Sequence, residues 1–575
     1  MFIIILRKIV IKKIKSVLKM ISVKEAIDII REFKVDYQTQ VINITDSLNK
    51  INVEDIYSNL NIPSVPTSTR DGYGFNSNNP NKIGEYIATG GFISSLYDSV
   101  IMLEHVEDNE IIVKPEKGQY IRKIGSDIKK NQLILEKDSI IDAYTIGLCI
   151  MAGIKKIRVK RTSNIKIAVM SSGDEIIDIN STNEIRNNKV YDCNRIMLIN
   201  KLKEYPFEII DLGIAQDKID SIQENFNYAF SKHVEIIITS GGTSVGKKDF
   251  MSDIIKNNNG ELIISRINMM PGKQFLFSVL SNGTIVICLS GNPISTVVGF
   301  EILLKPYFDS IFLINRQIDN IYYAGEDIIN TDLQKSHYMR ATIQDNNCYL
   351  TENQVSSNIL GIKNVKALIC VEPNYIIKKG DLIENIHIID ETIIKNKIGI
   401  LITSDRAYNN IYEDKSGLAI IDWIDSNFMT KHKFIKLCIP DDEIIIEANL
   451  KYLINAGCFM IITTGGTGPS YRDLTVKVTK KLIDRELSGF GEQMRRESLN
   501  YVPTAILSGQ TGGISFQYGE NGCLIINCPG SVKSISQCLD SIKYAIPKAI
   551  ELISKTYIET NEPAYRGNES IFYIK

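Results

Sequence analysis

CFMIITTGGTGPSYRDLT, residues 458–475, decides the fold, because EIIITSGGTSVGKKDF at 235–250 is built on the same plan. Each is a β-branched apolar run that ends in a Gly-rich turn and then an acid. The resemblance extends outward on both sides. IKIAVMSSGDE (165–175) precedes the first stretch and GTIVICLSGNPIS (283–295) follows it, while IGILITSDRA (398–407) and GCLIINCPGSVKS (522–534) flank the second in the same order. Short, continuously apolar runs of this kind are the signature of buried parallel strands, and α/β sheets bind ligands at the carboxyl ends of such strands. Two copies of one strand-and-loop design therefore predict two sites for similar phosphorylated ligands, and an enzyme with two active sites.

At 575 residues the chain is too long for one core, so several domains are expected. A hydrophobic fraction of 44%, a charged fraction of 23% and a net charge of −1 are those of a globular protein with no basic domain, which argues against nucleic acid as partner. Ten cysteines without a CxxC pair and five dispersed histidines give neither a disulfide framework nor a zinc signature, and the reading is a reduced, cytoplasmic protein. Residues 1–19 carry six basic residues and no acid. They are too interrupted by charge to span a bilayer, and they read as an extension ahead of Met20 rather than an organelle presequence.

Beyond that extension, VKEAIDIIREF reads as an amphipathic helix and residues from about 50 to 145 as β-rich, with TIGLCIMAGI as a helix leading into the first α/β unit. That unit runs over 164–315. Short alternating runs (HYMRATIQ, CYLTE, ALICVEP, DLIENIHII) predict a small β-barrel or sandwich over 316–392. The second α/β unit spans 396–557, with no long linker before it, and a polar tail covers 558–575.

In the first copy, Gly241, Gly242 and Gly246 permit positive φ and let backbone N–H groups approach an anion. A ligand-free β-to-α turn explains such a loop equally well, so the surrounding acids matter. Asp71, Asp127, Glu175, Asp217 and Asp249 all sit beside Gly or turn residues at expected element ends. Singly each reads as a helix cap; together they suit a carboxylate cluster for Mg²⁺, with Lys273 as a point charge for an oxyanion. In the second copy, Gly465, Gly466 and Gly468 are followed by Asp473, with Asp441 (CIPDDE) and Asp414 (EDKSG) as further acids. Acids beside a phosphate loop suit a Mg²⁺–nucleotide site.

Residues 20–392 resemble the molybdopterin molybdotransferase family (MoeA-like) through PSVPTSTRDGYGF, IATGG, IRKIGSDI, SSGDE, YDCNR, GIAQD, TSGGTSVGKKD, PGKQF and SGNPIS, in order. The resemblance implies insertion of molybdate into adenylylated molybdopterin with release of AMP. By motif it carries function to Asp71, Thr89, Arg122, Asp127, Glu175, Asp217, Asp249 and Lys273, and in the β-rich segment to Arg340 and Ser356. Residues 396–557 resemble the molybdopterin adenylyltransferase family (MogA-like) through SDRA, EDKSG, IPDDE, TTGGTGPSYRDLT, GFGEQMRRESL, VPTAILSG and NCPGS. That implies transfer of AMP from Mg²⁺–ATP to molybdopterin, with Asp441 and Asp473 as catalytic, metal-associated carboxylates. Ser404, Gly465, Gly466, Thr467, Gly468, Ser498 and Ser508 would line the pterin and phosphate site.

The two resemblances together are those of a gephyrin-like fusion. The fold they imply is a multidomain α/β chain with two related three-layer α/β/α molybdopterin-binding domains, a β-rich subdomain and a small β-barrel. Family members pair as dimers through the first kind of half and as trimers through the second, so a homo-oligomer is expected. One departure stands out: Met270 occupies the place of a lysine that usually precedes PGK, which removes a positive charge. Two other readings stay open at this stage. One is a scaffold that clusters membrane receptors, which would favour a long modifiable linker; the other is a nucleotide-processing enzyme with a GGTG loop.

Overall fold

The computed structural model describes residues 20–161, 163–181, 189–242, 250–316, 321–356, 359–390, 396–516, 521–554, 556 and 558–561. Two compact units emerge, one of residues 36–163 and one of all the rest.

The larger unit contains the two copies. In the first, β1 (Lys166–Ser172), β2 (Glu208–Ala215), β3 (Ile236–Ser240), β4 (Glu261–Arg266), β5 (Gln274–Val279) and β6 (Ile285–Leu289) form a sheet in the order β2-β1-β3-β6-β5-β4. In the second, β7 (Lys397–Thr403), β8 (Lys433–Ile439), β9 (Met460–Thr464), β10 (Arg485–Glu486), β11 (Gly512–Ser515) and β12 (Cys523–Cys528) repeat it as β8-β7-β9-β12-β11-β10. In both, the first four strands of that order are parallel and the last two pairings antiparallel.

The apolar runs make these strands central because both their faces are covered. In the second sheet, Ile398, Ile400 and Ile402 pack with Ile420, Trp423 and Leu539 from the helices Ser416–Asn427 and Val532–Ile542. The opposite face meets the helix Glu443–Asn455, whose Leu453 lies so close to Gly399 that a Cβ there would sit 3.0 Å from it. In the first sheet, Ala168, Met170 and Ile237 pack against Ile222, Phe226 and Ile254, and the helix Asn194–Leu202 adjoins β1, β2 and β3. Both copies are therefore three layers deep.

The helix Val23–Glu32 belongs to this larger unit. Ser22 and Glu25 close a capping box at its start, and past its end the Tyr307 hydroxyl donates to Phe33 O at 3.0 Å. Residues 321–390 form an all-β module. Its sheet runs Tyr323–Ala324, Asn347–Leu350, Ser336–Gln344, Ala367–Val371, Ile386–Ile388, with Met269–Met270 added beside Ser336–His337. A bridge between Tyr323 and Leu382 links its two sides, and of the run DLIENIHII only Ile386–Ile388 pairs as a strand.

The unit 36–163 is built of short antiparallel pairs. Thr39–Asn43 pairs Lys156–Lys160, and Gly72–Phe75 sits between Tyr86–Ile87 and Ser99–Met102. One helix, Ala143–Met151, is capped by the Asp142 carboxylate.

Candidate functional sites at the strand ends

The glycine turns are forced by the sheets beneath them. Gly465 has φ +93°, and a Cβ there would stand 2.3 Å from Thr403 O at the end of β7. Gly241 repeats this at φ +94°, with Ser172 O at 2.2 Å at the end of β1. Only glycine permits both the conformation and the close approach of one strand end to its neighbour. The turns therefore sit directly on the carboxyl ends of parallel strands.

Around Gly465 the structure gathers most of the residues expected from sequence. A Cβ on Gly468 would meet Asp473 Oδ2 at 2.7 Å, and that oxygen also accepts from Ser470 N at 2.9 Å. Thr467 Oγ1 accepts from the Ser508 hydroxyl at 3.4 Å, and Thr467 O from Gly509 N at 2.7 Å. Ser404 caps a short helical turn through Ala407 N and shares a hydrogen bond of 3.0 Å with the Tyr412 hydroxyl. Ser498 is buried and pairs with Cys538 Sγ at 3.4 Å, inside the helical layer. Asp414 caps the helix Ser416–Asn427 and pairs with Lys436 at 2.9 Å. Burial works against its charge, yet Lys436, the Ser416 hydroxyl and Gly417 N–H outweigh it and hold the carboxyl below its usual range.

Asp441 is different in kind. Burial raises its pKa above the ordinary carboxylate value, and the charges of Asp405 and Asp473 add to the rise. Asp405 and Asp441 also lock each other: Asp441 Oδ2 accepts from Asp405 N at 3.1 Å, and Asp405 Oδ1 accepts from Asp441 N at 3.1 Å. In sequence Asp405 shows only as the acid of SDRA next to Ser404 at the strand end, a position that by itself implies no role. The result is a set of like charges held together beside a glycine turn, an arrangement that an arriving cation relieves.

In the first copy, Asp174 Oδ1 accepts from Asp217 N at 3.1 Å, and Glu175 folds back over Gly173, within 2.9 Å of where a Cβ would stand. Asp174, Glu175 and Asp217 are thus brought to the end of β1. Gly242 follows Gly241 with φ +70°, whereas Gly246 and Asp249 lie outside the described residues.

Arg195, which the sequence showed only as part of YDCNR, is 3% exposed and binds three acids: Asp192 at 2.9 Å, Asp178 at 2.5 Å, and Asp211. Asn194 Nδ2 ties Ser240 Oγ (2.7 Å) to Gly291 O (2.8 Å), so that motif clamps the ends of β1, β3 and β6. Lys273 is exposed between β4 and β5, and Met270 is 42% exposed near it in sequence.

Arg340 lies in the all-β module at 2% exposure. Its Nη2 donates to Asn353 O at 2.7 Å, while Nε and Nη1 are buried without a partner among the described residues. Burial lowers its pKa. It lines a largely apolar cavity of about 410 Å³ with Ile196, Val297 and Leu368. The loop carrying Ser356 is pinned to it through Gln354, which accepts from Arg340 N at 2.9 Å.

Within the unit 36–163, Asp71 Oδ1 accepts from Thr89 N at 2.7 Å, and Arg122 pairs with Asp127. All four are exposed. Among the described residues no three His, Cys, Asp or Glu side chains converge as a metal-binding group. Of the acids expected to hold Mg²⁺ in the first half, Asp71 and Asp127 belong to the unit 36–163, where Asp127 pairs with Arg122, and Glu175 and Asp217 belong to the larger unit.

The family described as "Probable molybdopterin binding domain" matches residues 168–310 and again 399–548, slightly more than half of the chain. The chain belongs to this molybdopterin-binding family. Both of its molybdopterin-binding domains carry the strand-end turn described above, and the "MoeA N-terminal region (domain I and II)" matches residues 21–153.

A molybdopterin molybdenumtransferase of Haemophilus influenzae is 29% identical over 378 residues, covering 56% of this chain and 91% of the relative. A molybdopterin adenylyltransferase of Helicobacter pylori is 45% identical over 166 residues, 29% of this chain and 92% of the relative. Gephyrin of Dictyostelium discoideum is 28% identical over 453 residues, 64% of this chain and 62% of the relative. Among the described residues no helix is long and apolar enough to cross a membrane.

Proposed function

We propose that the chain carries out two successive steps of molybdenum cofactor assembly. Residues 396–557 transfer AMP from ATP to molybdopterin and release pyrophosphate. Residues 20–392, with the 316–392 segment as a small barrel, then exchange AMP for molybdate. The observation that carries this reading is the glycine turn of Gly465, Gly466 and Gly468, set beside Asp473 and the mutually locked Asp405 and Asp441. It lies in a segment that matches nearly the whole length of an adenylyltransferase, while the preceding segment matches nearly the whole of a molybdenumtransferase.

The chemistry follows from those groups. Backbone N–H groups of the turn bind phosphate oxygens, because positive-φ glycines turn successive amides to one side. Asp441 and Asp473 fit a nucleotide-bound magnesium ion, which takes one or two carboxylates and completes its shell with phosphates, so a closed protein cage is unnecessary. Bound there, the ion supplies charge neutralisation on the polyphosphate. Asp405 keeps Asp441 oriented through the paired backbone contacts. In the first half, Lys273 and the unmatched donors of Arg340 supply positive charge for molybdate or phosphate oxygens.

The test is purified full-length protein given molybdopterin and Mg²⁺–ATP, then molybdate, with pyrophosphate and AMP followed separately. Pyrophosphate first and molybdate-dependent AMP second is the expected record. Asp473→Asn should abolish the first and Glu175→Ala only the second; full adenylylation by Asp473→Asn would refute the assignment of the second site.

A further inference from the structure

The helix Glu443–Asn455 is buried over more of its circumference than one sheet can cover. Ile445, Ile446, Ala448, Asn449, Leu450, Tyr452, Leu453 and Ile454 are all buried. A surface helix of a sandwich presents one apolar stripe to its sheet and a polar face to solvent; this one has two further partners, the first being the helix Thr475–Leu482 of its own half, whose Lys477 and Lys481 pair with Glu443. The second is the end of the helix Lys305–Ile311, from the other half of the chain.

The contact is specific and polar at its centre. Asn449, with no exposed surface, donates from Nδ2 to Phe312 O at 3.0 Å, across 137 residues of sequence. Phe312 caps that helix, and the last carbonyls of a helix lack intrahelical donors, so Asn449 meets a need that the helix cannot meet itself. Three residues along, Tyr452 lies beneath the Arg316 guanidinium at 4.9 Å. Arg316 is not a loose surface chain. Asp309 holds it through Nε (2.7 Å) and Nη2 (2.9 Å), and Nη2 also donates to the Tyr205 hydroxyl at 3.3 Å. Tyr205 and Asp309 are themselves buried, so the cation is positioned by the core of the first half before it meets the second. A cavity of about 670 Å³ runs beside the contact, lined from both halves.

We propose that the two halves are docked rather than merely tethered. The outward face of Glu443–Asn455, centred on Asn449 and Tyr452, is a binding surface for Phe312–Arg316, so the second half rides on the first as one body. This holds whatever the two halves catalyse. It also means that self-association of the second half must use another face.

The experiment uses the full chain with a site-specific protease sequence placed within residues 391–395. After cleavage, the two fragments are expected to co-elute from a sizing column at about 10 μM as a one-to-one complex. With Asn449→Ala and Arg316→Ala together, the cut fragments are expected to separate, with affinity at least tenfold weaker. Arg316→Lys keeps the charge near Asp309 but loses the flat guanidinium, and it guards against a variant that fails to fold; at least threefold weakening is expected, with an unchanged circular dichroism spectrum. Cut wild-type fragments that elute apart, or second-half fragments that associate only with each other, would overturn the proposal. So would co-elution that neither set of substitutions weakens, since another surface would then hold the halves together.

Discussion

Gly465→Ala tests whether the strand-end turn is as constrained as its geometry implies. At φ +93° an alanine sits outside its comfortable range, at a cost of about 1–3 kcal/mol. Its Cβ would stand 2.3 Å from Thr403 O, against a practical minimum of 3.0 Å, so the strand ends must part by several tenths of an ångström. Thr403 cannot yield freely, because it pairs with Ile439 in the next strand and its hydroxyl meets Thr475 Oγ1 at 2.8 Å. Overpacking of a closed structure adds about 1–3 kcal/mol, for a total near 3 kcal/mol. For a domain of this size that lowers the Tm of the second half by roughly 6–12 °C. Displacing the turn should also lower adenylyl transfer about 100-fold. Gly489→Ala is the control, since that glycine is exposed in the helix Ser488–Leu499 with open space around its α-carbon; it should be neutral or stabilising by up to about 1 kcal/mol. Differential scanning calorimetry and pyrophosphate release read both variants. A Tm for Gly465→Ala within about 2 °C of wild type would refute the reasoning.

Four further outcomes follow from named contacts. Asp441→Asn should lower pyrophosphate release about 100-fold or more yet raise the Tm at pH 7. The folded carboxyl titrates above its unfolded value of 3.8, so the native state binds more protons and stability falls as pH rises through that window; thermal scans below about pH 4 should show the gain gone. Asp405→Ala should lower kcat about tenfold with KM for ATP unchanged, whereas Asp405→Asn, which still offers an acceptor to Asp441 N–H, should recover most of it. Arg195→Ala leaves buried Asp192 uncompensated and should cost about 3–5 kcal/mol in urea denaturation, with Arg195→Lys recovering little because one ammonium cannot serve three carboxylates in fixed directions. Met270→Lys restores a charge at an exposed position; a charge-assisted hydrogen bond of about 1.5–3 kcal/mol should lower the KM for molybdate in AMP release by tenfold or more.

What the sequence showed and what it hid separate along physical lines. β-branched runs such as IITT and IIITS identify strands because their composition is local, and twin Gly-Gly turns identify strand ends because positive φ excludes other residues. Kinship with the molybdopterin-binding family was legible for the same reason: its motifs are contiguous. Contacts that join distant residues left no such trace. The three-carboxylate grip of Arg195 needs strand β2 beside β1, and the second face of Glu443–Asn455 looks in sequence like any buried helix. Five acids at element ends likewise read alike as caps, and only the fold assigns Asp71 and Asp127 to one unit and Glu175 and Asp217 to the other.

The same step explains how one strand plan can serve two chemistries. In the first copy, the internal Arg195 takes up Asp178, Asp192 and Asp211, a set distinct from Asp174, Glu175 and Asp217 at the end of β1. In the second copy, Asp441 is locked to Asp405 through paired backbone contacts, and burial with the charges of Asp405 and Asp473 outweighs the opposing charge of Arg472 and raises its pKa, an arrangement that a cation relieves. The two copies thus differ less in their glycine turns than in what holds the acids nearby, an internal arginine in the first and paired backbone N–H contacts in the second.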